Sequence, residues 1–135
     1  MSVLASVKKY IRLPPGQVQE VVGDRLSVSE VEKAIVLFVP PWSADAIVVL
    51  RKLSEVLGEF PSVGLILVDP TTLGPTVVSE LELVEAPQGY GEAVWISRGV
   101  VSGMVSRKSY DWERKAQRIT AEVAAVDVPK GSDRS

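Results

Sequence analysis

Apolar positions in this chain fall into short unbroken runs, separated by stretches where they recur every three or four residues. The run 34–39, AIVLFV, has no alternation, as expected of a strand covered on both faces. Pro40 cannot donate to a sheet ladder and ends it. Ser43 then offers an N-cap and Asp45 an acid in the first turn. Ala46, Val49, Leu50, Leu53, Val56, Leu57 and Phe60 form one continuous helical stripe, closed by Pro61. Residues 63–68 are a second apolar run, stopped by Asp69-Pro70, and predict a buried strand. Pro75 suits the first turn of a short helix over 76–81.

Residues 93–97 and 100–105 flank Arg98-Gly99 and predict a β-hairpin. Ser109 is the expected N-cap of a last helix, with Trp112, Ala116, Ile119, Val123 and Val126 along one face. Upstream, Val3, Val7 and Ile11 recur every four residues, which suits a short helix or an irregular extension. Pro14-Pro15-Gly16 stops it, and 17–22 reads as a modest strand. Ser27 with Glu30 forms a capping-box pattern for a short helix to Lys33. The order is β-α-β-α-β-α-β-β-α, which divides the chain into an extension (1–16), one domain (17–126) and a polar tail (127–135) expected to fray.

Composition narrows the chemistry. The 135 residues include no Cys and no His, which removes thiolate nucleophiles, disulfides, imidazole bases and the common N/S zinc sites. The net charge of −2 gives no reason to expect non-specific nucleic-acid binding. The charges are unevenly placed. Residues 43–92 hold two bases against eight acids, whereas Arg98, Arg107, Lys108, Arg114, Lys115 and Arg118 face only Asp111 and Glu113. The N-terminal stretch is broken by Lys8, Lys9 and Arg12 and does not read as a signal peptide. No apolar run approaches a membrane span, so a soluble, cytoplasmic protein is expected.

Four landmarks carry a resemblance. The strand, corner and helix around Trp42 resemble the "VLFxAPWCxxC" core of the thioredoxin superfamily. Residues 59–69 look like its "EFxxVxxxxVD" passage, residues 81–87 like "LxVxxxP", and Arg98-Gly99 like its "NG" turn. The resemblance covers roughly 17–126 and implies an α/β, three-layer thioredoxin-like fold. That fold has a central mixed sheet with helices on both faces, here behind a short N-terminal extension. It implies that 35–39 is central, parallel to 64–68 and antiparallel to 93–97.

The departures exclude the family's reaction. Ser43 and Ala46 stand at the cysteine positions, Leu37 at the buried acid, and Arg51 at the helix-kinking proline. Thiol–disulfide exchange needs a thiolate. Ser43 has no His to take its proton and no Lys close after it before Lys52, so it reads as a cap rather than a nucleophile. The family's spacing from Gly99 puts Gly91 at the cis-proline position. Pro87 takes that place if 88–91 is an insertion, and is the preferred assignment because a cis bond costs ~0.5–1 kcal/mol before proline and ~3–4 otherwise. Asp45 and Asp69 as a Mg²⁺ pair find no support in their spacing.

The expectation is a non-catalytic protein-binding module, with assembly or maturation factors as the precedent among cysteine-free relatives. Its surface comprises Pro41, Trp42, Ser43, Ala44, Ile47, Val48, Pro87 and Gly91. Trp42 is either half-buried packing at the corner or an exposed anchor. Ile47 and Val48 are covered by the protein's own N-terminal segment or by another chain, and another chain (a partner or a second copy) is preferred. No cofactor or metal is expected. The alternative is nucleic-acid binding through the six bases between Arg98 and Arg118, which a pI of about 5.2 disfavours. An enzyme using the groove without sulfur comes third.

Overall fold

A computed structural model describes residues 3–40, 43–83 and 87–126. Its sheet has five strands: β1 (Val18–Glu20), β2 (Lys33–Phe38), β3 (Gly64–Val68), β4 (Ala93–Ser97) and β5 (Val100–Val105). Their spatial order is β1-β3-β2-β4-β5. β2 is central, parallel to β3 and antiparallel to β4, as the resemblance implied. Its unbroken apolar run follows from burial on both faces. Ile35, Leu37 and Val39 enter one core and Ala34, Val36 and Phe38 the other.

The first core lies under helices α1 (Val3–Val7), α2 (Ala44–Leu57) and α4 (Trp112–Ala125). Trp95 is fully buried there, and its Nε1 donates to Thr120 Oγ1 of α4 at 2.9 Å. Val3 and Val7 belong to this core, so the N-terminal segment is a packed part of the fold. The second core is covered by α3 (Pro75–Glu80) and by short 3₁₀ turns carrying Leu26 and Val28.

Three local expectations are corrected. No helix spans 27–33: Val28–Glu30 is a single 3₁₀ turn, and the Ser27 side chain caps nothing. Val31 is already extended (φ −85°, ψ 125°) and the strand starts at Lys33. The carbonyls of Val31 and Glu32 accept from the N–H groups of Gly99 and Arg98, both at 2.7 Å, which holds 31–32 against the hairpin turn. Ser109 does not cap α4. Its hydroxyl accepts from Ser106 N–H within a tight turn, and the helix starts after Asp111, which is left-handed at φ 57°. Helix α2 ends at Leu57, well before Pro61. The Gln17 amide nitrogen sits 2.9–3.2 Å from the carbonyls of Leu57, Phe60 and Val63 and so caps the end. The Arg98-Gly99 hairpin holds, with φ of 55° and 75°, both left-handed as a type I′ turn requires.

Candidate functional site

Among the described residues of the expected site, Ser43, Ala44, Ile47 and Val48 lie at the start of α2 and Gly91 packs against it. Ser43 caps the helix, its Oγ accepting from Ala46 N–H at 3.0 Å. The same hydroxyl donates to the carbonyl of Gly89 at 2.6 Å, and Ser43 is 5% exposed. The residue at the first cysteine position is therefore a structural fastener. Both hydrogen-bonding roles of its hydroxyl are filled inside the protein.

The loop that Ser43 holds is organised by its own acid. Glu92 accepts from Gln88 N–H at 2.8 Å and from Tyr90 N–H at 3.2 Å. Its backbone carbonyl accepts from Phe38 N–H at the end of β2. From beyond β5, Arg107 N–H donates to the Tyr90 carbonyl, and the Arg107 guanidinium lies 3.7 Å from Asp45. The Lys108 ammonium lies 4.3 Å from the centre of the Tyr90 ring. The loop is thus tied to α2 and to the end of β5 at once.

Gly91 closes the joint. It is buried at φ +69°, and a Cβ there would lie 2.5 Å from Val49 Cγ2 and 2.9 Å from the Asp45 carbonyl. A proline, fixed near φ −65°, cannot take this conformation. Pro87 is half-buried; its preceding bond involves Ala86, which lies outside the described residues, as do Pro41 and Trp42 and their expected roles.

Of the other expected site residues, Ala44 is exposed, Ile47 is half-buried against the first core, and Val48 is 38% exposed. The N-terminal segment flanks Val48 without covering it: Tyr10 and Arg12 line one groove with that side chain. Leu37, at the family's buried acid position, is fully buried among apolar neighbours. Asp45 and Asp69 serve separate structural ends, Asp45 with Arg107 and Asp69 accepting from Thr71 N–H and Oγ1. The six bases of the nucleic-acid alternative lie at both ends of β5 and along α4. Arg107, Arg114 and Arg118 have acidic neighbours within 4.0 Å, and Arg98 lies at the opposite end of β5 from Arg107.

The expected 87–91 loop contains Gly89 and Tyr90, but sequence reading missed Glu92 and Arg107 as parts of this joint and the bond of Gly89 to Ser43. A glycine-rich loop with one acid just before a strand was the available signal. Among the described residues no helix is long and apolar enough to cross a membrane.

No protein-family model matches the sequence, and no curated protein matches it. Solved structures do. Thioredoxin O2 from Arabidopsis thaliana, in its oxidised state, superposes with a TM-score of 0.65 at 10% identity, over 84% of this chain and 99% of that one. Thioredoxin from Trypanosoma brucei brucei gives 0.59 at 18% identity, over 84% and 97%. Desulfothioredoxin from Desulfovibrio vulgaris Hildenborough, in its reduced form, gives 0.56 at 20% identity, over 91% and 100%. At such identities the likeness shows the fold. The chain has a thioredoxin-like fold and no cysteine with which to perform thiol–disulfide exchange.

Proposed function

We propose that this chain is a non-catalytic thioredoxin-like module that binds another protein, serving in assembly or maturation in the cytoplasm. Its contact surface is the corner at residues 40–46, the loop at 87–91 and the adjoining turn of α2. The observation that carries this reading is the Ser43–Gly89 hydrogen bond in a buried joint. At the position where the fold's enzymes keep a nucleophile, this chain has a fastener that fixes the loop against the helix. Fixing a surface in advance lowers the ordering cost of association. Ala44 and Val48, one turn apart on α2, and Tyr90 in the loop are exposed and available to a protein contact.

The test is affinity purification from the native organism with wild type and with Ile47→Asp plus Val48→Lys, alongside light scattering. The reading predicts a discrete co-purifying chain, or a second copy, that the double variant loses. Equal recovery by two monomeric proteins of equal stability would refute it.

A further inference from the structure

Helix α2 places Val48, Arg51, Lys52 and Glu55 on one face, spaced as a helix brings residues three and four apart together. The N-terminal segment lies alongside. It is clamped by Arg12 N–H donating to Ser54 Oγ at 2.8 Å, with Ser54 itself only 4% exposed. Between them runs an open groove of about 580 Å³, whose lining also includes Tyr10 and, from the start of α4, Glu113. That volume is in the range of sites that take a ligand or a few side chains.

The groove is lined by three cationic side chains, Arg12, Arg51 and Lys52, and two carboxylates, Glu55 and Glu113. Residues 43–92 contain two bases against eight acids, and both bases, Arg51 and Lys52, line it. Arg12 joins them from the N-terminal segment, and Lys9 sits 5.3 Å from the centre of the Tyr10 ring at its border. Lys52 meets Glu55 at 3.4 Å. Among the described residues, neither Arg12 nor Arg51 has a carboxylate within 4.0 Å. Two arginines without a carboxylate partner thus line one groove together with Val48 and Tyr10. Their planar forks match carboxylates in a paired geometry. Glu55 and Glu113 in the same groove disfavour a phosphate-dense polyanion and leave acceptors for the N–H groups of a peptide backbone.

We propose that this groove receives an extended acidic segment of a partner protein, its carboxylates on Arg12 and Arg51 and an apolar side chain on Val48 and Tyr10. The inference rests on the protein-binding reading above and names the chemistry of the partner at the α2 edge.

The test selects random peptides displayed on phage against the intact protein, then measures the selected peptides by fluorescence anisotropy. The expected peptides carry Asp or Glu around an apolar residue. Their binding weakens with salt, and by roughly tenfold or more in Arg12→Glu with Arg51→Glu. Both arginines are exposed, so that variant keeps its melting temperature. Selected peptides without acidic enrichment, or binding unchanged in the variant, overturn the proposal. So does a dimer that the variant dissolves, which would give the groove to a second copy. Partner loss in Ile47→Asp with Val48→Lys, but full recovery with the two arginines reversed, would overturn this inference and leave the protein-binding reading standing.

Discussion

Replacing Ser43 by alanine removes one oxygen that holds two things together. The helix loses its cap on Ala46 N–H, which costs about 1 kcal/mol in typical proteins. The Gly89 carbonyl loses its donor at a buried position, and an unsatisfied buried acceptor costs about 1–3 kcal/mol. The two losses act on different partners and add to roughly 2–4 kcal/mol. For a chain of 135 residues, about 4 °C per kcal/mol is the expected scale, so the melting temperature falls by ~8–16 °C. Thermal and urea unfolding measure the stability. Amide hydrogen exchange localises the loss, and the N–H groups of Gln88 and Tyr90 should exchange faster as the loop loosens. An unchanged melting temperature with unchanged exchange in the loop would refute the fastener account of Ser43.

Gly91→Ala should destabilise by about 2–4 kcal/mol, since it combines a left-handed backbone with a clash against the Asp45 carbonyl, which cannot move without the helix. Gly16→Ala, where a Cβ meets nothing within 4 Å, is the paired control, and urea unfolding should separate the two. Wild type should not accelerate insulin disulfide reduction with any thiol donor, because the chain has no sulfur nucleophile. Ser43→Cys with Ala46→Cys should gain a reversible internal disulfide, detected by thiol labelling before and after reduction. Turnover by the wild type would overturn the account of its chemistry.

The middle of the sheet was legible because β2, β3 and β4 are apolar on both faces. β2 and β3 read as continuous runs, and the Arg98-Gly99 turn announced β4 and β5. The stripe of α2 was legible for the same reason, since Ala46, Val49, Leu50, Leu53 and Leu57 all enter one core. What failed were local signals overridden by distant partners. The capping pattern at Ser27 and Glu30 was sound chemistry, but the hairpin turn and the central strand draw residues 31–33 into extended backbone. Ser109 lost its role to a turn closed with Ser106. The joint at Ser43 was half legible: its capping role follows from sequence, whereas its bond to Gly89 spans 46 positions. The clamp between Arg12 and Ser54, 42 positions apart, was beyond reading for the same reason.

The central claim is that the surface beside the Ser43 joint contacts another protein. A photo-crosslinking amino acid placed at Ala44, exposed at the start of α2, tests it in the native organism. The same group at Thr76, exposed on α3 over the other face of the sheet, is the control. The account predicts one discrete cross-linked species from position 44, either a partner or a second copy, and none of that mass from position 76. Cross-links of equal yield and mass from both positions, or none from position 44, would contradict it.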